Sequence, residues 1–273
     1  MTTTPKLGFG TAPILGRIGR RDSVAALERA YALGVRHFDT ARSYGWGEAE
    51  GVLGSFLQGK SRRECTIVSK CGIVPVKRSR VLSVAKALAR EVRDRAPGVG
   101  SMVQRAASSS RFQPTRTYDV RTLNESFETS LRELRTDYLD VLLLHNFDPT
   151  MPGLDDVVTW FQRLRQRGSI ARYGFAVGCD LVQGLTCLRG SGVLDGAVVQ
   201  VPVSVALLAL SSEWRDVPVL AHSAFRFSAQ SGMSFTEILA RLGAACRCEA
   251  AVCSMFSKSH IESNVATAAR VAV

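Results

Sequence analysis

Four side chains in this 273-residue chain have the types and the spacing to move a proton to or from an oxygen: Asp39, Tyr44, Lys70 and His145. A phenol titrates near about 10, so a tyrosine acts as general acid at neutral pH only if that value is lowered, as a neighbouring ammonium does by favouring phenolate. Lys70 is the candidate ammonium. A buried lysine tends to shed its proton, and Asp39 is the carboxylate that would hold it charged. His145 would then orient a carbonyl oxygen. A tuned proton donor beside an oxyanion site is what hydride addition to a carbonyl requires. Singly, each residue has a plainer use: a turn cap for Asp39, packing for Tyr44, a solvated strand end for Lys70, a hydrogen-bonded rim residue for His145. Their joint occurrence, in order and at strand ends, favours chemistry.

Those strand ends come from a repeating pattern. Short β-rich or apolar runs alternate with segments of helical period, as in a parallel sheet built from crossover units. The strands fall at Leu7–Thr11, Val35–Asp39, Cys65–Lys70, Tyr138–Leu144, Ala171–Val177, Ala197–Val201, Val217–Ala221 and Ala250–Ser254. The helices fall at Ser23–Leu33, Glu48–Leu57, Val120–Leu134, Asp155–Gln166, Leu181–Leu188, Val205–Ser211, Phe235–Leu242 and Ser259–Ala269. Eight of each predict an α/β fold, a (β/α)8 TIM barrel forming a single domain over residues 1–273. In such a barrel the loops leaving the C-terminal strand ends ring one face. That places Asp39, Tyr44, Lys70 and His145 together. The alternation breaks over residues 72–118, which carry Pro75, Pro97 and Pro114 and a helix-period stretch at Leu82–Val92. This reads as a helix-containing insertion after strand 3.

Composition narrows the class. With 46% apolar residues the chain can bury a full core. No apolar run is long enough for a membrane span and the N-terminus lacks a basic-then-apolar leader, so a cytoplasmic protein without membrane association is expected. The seven cysteines are odd in number and scattered, which favours reduced thiols. Cys246, Cys248 and Cys253 lack a second pair at zinc spacing, so no metal is expected. The net charge of +11 is mostly arginine, with only six lysines. No zinc finger or basic-aromatic repeat accompanies it, and nucleic acid is not an expected partner. Oligomeric state leaves no trace in the sequence.

The stretch Gly34–Gly54, GVRHFDTARSYGWGEAEGVLG, has an aspartate, a tyrosine five residues on, then Glu-x-x-x-Gly. It resembles the signature of the aldo-keto reductase family. IVSK ending at Lys70 and LLLH ending at His145 resemble that family's lysine and histidine segments, and GFGTAP with YGWGEAE is similar to its bacterial branch of sugar and aldose dehydrogenases. The likeness runs from LGFGT to SHIESNV, the insertion excepted. It implies a nicotinamide-dependent oxidoreductase that interconverts a small-molecule carbonyl (aldehyde, ketone or sugar) and its alcohol, in either direction, with Tyr44 as general acid or base. The alternative is a cofactor-binding regulatory barrel with little turnover.

The resemblance also implies that the cofactor lies across the barrel mouth. Its candidate contacts are Gly10, Thr11, Asp39, Gln200, His222, Ser223, Phe225, Ser254, His260 and Asn264. The absence of G-x-G-x-x-G after the first strand agrees, since it argues against a Rossmann domain. Several family positions differ here. The Ser-Asn pair that holds the carboxamide falls on Ala176 and Val177, the stacking aromatic on His222, and the lysine and arginine of the 2′-phosphate site on Ser254 and His260. An imidazole at 222 would stack with less area and a titratable charge. NADP(H) is expected over NAD(H), with phosphate contacts from the helix start near Ser257–Ser259 and Lys258. The insertion adds Lys77, Arg78, Arg80, Lys86, Arg90, Arg93 and Arg95 beside the mouth, either as a lid favouring anionic or large polar substrates or as a solvated helix.

Overall fold

The computed structural model describes residues 5–75, 115–177, 182–190, 192–208 and 214–271. Eight parallel strands, β1 (Lys6–Gly10), β2 (His37–Asp39), β3 (Thr66–Cys71), β4 (Leu139–His145), β5 (Ile170–Ala176), β6 (Val198–Pro202), β7 (Val219–His222) and β8 (Cys248–Cys253), close into a barrel in sequence order. Around them run α1 (Arg20–Ala32), α2 (Ala49–Leu57), α3 (Val120–Leu134), α4 (Leu154–Gln166), α5 (Val182–Gly190), α6 (Val203–Leu208), α7 (Ala224–Ser231), α8 (Phe235–Ala245) and α9 (Lys258–Val271). The (β/α)8 expectation holds. Nine helices rather than eight are present among the described residues, because α7 and α8 both lie between β7 and β8. The helix expected at Leu82–Val92, and the basic residues from Lys77 to Arg95, lie outside the described residues. The two ends of the expected insertion are joined nonetheless: the Val74 amide donates to the Thr115 carbonyl at 3.0 Å and the Thr117 amide to the Gly72 carbonyl at 2.9 Å.

Strand periodicity divides the interior into two layers. Val68, Val141, Leu143, Ala176, Val198, Leu220 and Ala250 fill the inside of the barrel. Outward residues such as Phe38, Ile67, Leu142, Phe175 and Val199 pack under the helices in a second, larger cluster. Branched side chains fill the middle of the lumen, and a polar cavity opens at the end where the strands finish.

Helix contacts also explain part of the signature. A Cβ on Gly54 of α2 would strike the Glu133 carbonyl oxygen and come within 2.8 Å of Leu134 Cα, so only glycine lets α2 lie this close to α3. Glu50, fully buried on the same helix, accepts from Arg42 Nη1 at 2.7 Å and from Ser69 Oγ at 2.6 Å. Arg42 in turn donates to the Gly47 carbonyl at 2.7 Å. The Glu-x-x-x-Gly pattern is thus a clamp: its glycine seats the helix, and its glutamate ties the loop that carries Tyr44 to β3. Cys246, Cys248 and Cys253 are buried free thiols, and among the described residues no group of three or more His, Cys, Asp or Glu side chains is arranged to hold a metal.

Candidate active site

Asp39 ends β2, Lys70 is the last but one residue of β3, and His145 ends β4; all three face the mouth. The sequence placed Lys70 at the strand terminus, but pairing of Cys71 with Leu144 carries β3 one residue further. Lys70 is buried, and its Nζ donates to Asp39 Oδ1 at 2.6 Å and to the Thr40 carbonyl at 2.8 Å. The ammonium also lies 4.9 Å from the centre of the Tyr44 ring. Across the cavity, the Tyr44 and His145 rings meet edge to face with centroids 5.8 Å apart, and Ser43 Oγ is 3.4 Å from His145 Nδ1. The four candidate residues therefore form one cluster.

Their titration differs from the expectation in one respect. Burial raises the Tyr44 phenol above its ordinary value; the Lys70 charge pulls it down and the Asp39 charge raises it, leaving a net rise. The lowering that the sequence reading required is therefore not found: Lys70 offsets only part of the rise due to burial, and Tyr44 stands at neutral pH as the protonated phenol, the form that can donate to an oxygen. Burial alone would strip Lys70 of its proton, yet Asp39 and Tyr44 outweigh burial and hold the ammonium above the usual lysine value. His145 is lowered to about 3, first by burial and then by the Lys70 charge, so its imidazole is neutral at physiological pH. His222 is lowered to about 4 by burial, against the pull of Asp39, and so brings no charge to the mouth at neutral pH.

A cavity of about 510 Å³ opens over this cluster. Among the cofactor candidates, Gly10, Asp39, Gln200, His222, Ser223, Phe225 and Ser254 border it, together with Ala176 and Val177. Thr11, His260 and Asn264 do not. Thr11 is fully buried and its amide bonds to the Asp39 carbonyl at 2.9 Å. Asn264 is buried on α9 with Nδ2 directed at Met255 Sδ, 3.7 Å away, whereas His260 is exposed on the first turn of that helix. Sequence reasoning missed Arg17, Asn146 and Arg226, which also border the cavity, and the Arg42–Glu50 clamp beneath it. The positive φ of Asn146, 53°, directly after His145, has no signature in a single sequence.

The cavity fits the nicotinamide end of a dinucleotide. A Cβ on Gly10 would come within 3.2 Å of Val252 Cγ1 and 3.3 Å of Ser254 Oγ, so the bare glycine leaves a smooth cradle where β1 meets the mouth. Gln200 offers the only amide side chain from the β5 and β6 ends, beside the apolar Ala176 and Val177.

A parallel eight-stranded barrel whose C-terminal mouth gathers an aspartate, a tyrosine, a lysine and a histidine around a cavity defines a class of barrel with titratable groups at its rim. The model of the aldo/keto reductase family matches residues 6–233, and the chain belongs to that family. It is 31% identical over 158 residues to the aldo-keto reductase AMT2 of Alternaria alternata, a match covering 52% of this chain and 38% of that protein. A shorter stretch of 72 residues is 42% identical to D-threo-aldose 1-dehydrogenase of a Pseudomonas species, covering 25% of this chain and 22% of the relative. The chain thus spans well under half the length of these curated relatives. An aldo-keto reductase from Klebsiella pneumoniae, solved in complex with NADPH, superposes with a TM-score of 0.63 at 22% identity, over 97% of this chain and 86% of the other, which bears on the fold.

Proposed function

We propose that the protein is a nicotinamide-dependent oxidoreductase that interconverts a small carbonyl compound and its alcohol, with Tyr44 as the proton-transfer group. The observation that carries this reading is the packing of the Tyr44 ring between the Lys70 ammonium and the neutral His145 imidazole, at the cavity floor. The cofactor supplies or takes up hydride at its nicotinamide ring. Every other step belongs to the chain's own residues. Tyr44 gives a proton to the substrate oxygen in reduction, and its phenolate accepts one in oxidation. Lys70, held charged by Asp39, stabilises that phenolate. His145, uncharged, orients the substrate oxygen by a neutral hydrogen bond.

Gly10, Gln200, His222 and Ser254 are the residues that would hold the nicotinamide end. NADP(H) is the carrier proposed, with its phosphate end running toward Lys258 and His260 on α9. The test combines NADPH or NADP with a panel of aldehydes, ketones, sugars and alcohols. Turnover with the unaltered protein that falls about 100-fold or more in Tyr44→Phe is the expected result. Turnover surviving in Tyr44→Phe sinks the assignment.

One observation favours a second reading. Ala176 and Val177 give the carboxamide no polar side chain on the β5 side, which suits a barrel that binds cofactor and turns over little. Tight NADPH binding without turnover on any class of the panel would select it.

A further inference from the structure

Gln200, on β6, is 3% exposed, and its Nε2 donates to Asp39 Oδ2 at 2.7 Å. The other Asp39 oxygen accepts from Lys70 at 2.6 Å. The carboxylate is therefore held by two donors from strands β3 and β6, one on each oxygen. Lys70 has three protons to place. One goes to Asp39 and one to the Thr40 carbonyl, which leaves the third for Tyr44, whose ring centre is 4.9 Å away. Ala176, paired with Gln200 across the β5–β6 ladder, and Val177 beside it are apolar, so no side chain from the end of β5 can replace the amide.

We propose that Gln200 is a positioning residue for Tyr44: its amide pins Asp39 so that the carboxylate takes Lys70 through a single oxygen and the ammonium stays aimed at the phenol. Without the amide, Asp39 pivots and grips the ammonium with both oxygens. The third proton then turns away from Tyr44, and the phenolate loses its stabilising partner. With Nε2 committed to Asp39, only Oε1 of Gln200 is left for a carboxamide, so this role differs from a purely cofactor-binding one. The inference deepens the proposed function, since it rests on Tyr44 being the proton-transfer group.

The test uses Gln200→Met, which keeps volume but has no donor, and Gln200→Glu, which keeps shape but replaces the amide with a carboxyl. Tyr44 is followed by NMR of carbon-labelled tyrosine, its signal assigned by loss in Tyr44→Phe, and NADPH affinity is measured directly by fluorescence. The expected result is a rise of about one unit in the Tyr44 titration midpoint of the cofactor-free protein in both variants, whether or not NADPH affinity falls with it. Two variants of opposite polarity keep the test open if one fails to fold. An unchanged or lowered midpoint overturns the proposal, most directly if NADPH affinity drops about 10-fold, the mark of a carboxamide contact alone. Because the titration needs no turnover, a midpoint rise in a protein that reduces nothing supports the linkage while removing the reductase reading.

Discussion

At the scale of single residues, the raised pKa of Tyr44 sets a direction. Burial keeps the phenol protonated through neutral pH, with Lys70 opposing and Asp39 reinforcing that effect. Reduction needs the phenol and oxidation needs the phenolate. Carbonyl reduction is therefore expected to hold level from about pH 6 to pH 9, whereas alcohol oxidation climbs about 10-fold per unit toward alkaline pH. Initial rates in both directions check this; an oxidation rate that levels off near pH 8 would contradict the raised phenol. Lys70 supplies the opposing charge, so Lys70→Met is expected to cut turnover about 100- to 10,000-fold. The same variant should leave NADPH affinity nearly unchanged, since Lys70 is occupied by Asp39 and Thr40. Fluorescence titration beside steady-state rates separates the two effects.

At the scale of elements, the site depends on how the loop after β2 is anchored. Arg42 and Glu50 form a nearly dry ion pair at 2.7 Å beneath Tyr44. Removing one partner strands the other, and Arg42→Met is expected to cost about 3–5 kcal/mol, read as a lower urea midpoint. Gly54→Ala, which drives a methyl into the α3 backbone, is expected to cost about 1–3 kcal/mol without touching the cavity. These elements were also the most legible part of the sequence. Long apolar runs such as YLDVLLL give β4 because a strand buried on both faces has little room for polar residues. Ser23–Leu33 ends at Gly34 for an equally local reason, the positive φ of 92° that a glycine adopts without strain. Helix α7, AFRFSAQS, was not legible: it is short, and its Ser223 N-cap makes no side-chain capping bond. The tetrad could be read because strand ends alone bring its members together. The Gln200–Asp39 bond could not, since 161 residues separate the partners and only closure of the barrel joins them.

At the scale of the whole molecule, barrel closure makes acid stability depend on a residue that takes no part in the proposed proton transfer. His37 lies two residues before Asp39 on the same inward face of β2, and its Nε2 has no hydrogen-bond partner among the described residues. Burial lowers it to about 4, while Asp39, Glu249 and Asp140 pull it up and Lys6 pushes it down. Near it, the Arg172 guanidinium takes Glu249 with two hydrogen bonds, 2.9 and 2.8 Å long, across the β5 and β8 strands. An unfolded histidine accepts a proton near pH 6.5, but the folded one resists until about pH 4. Between those values the unfolded chain binds the extra proton. Stability is thus whole above pH 6.5 and falls as the pH drops toward 4, by about 2 kcal/mol between pH 7 and pH 5 for this residue. His37→Leu removes both the titration and the unpaired nitrogen. The gap between urea midpoints at pH 7 and pH 5 should narrow in that variant by the His37 share and persist for the rest, because burial also lowers His145 and His222 at the mouth; a gap equal to that of the unaltered protein would remove His37 from the acid sensitivity.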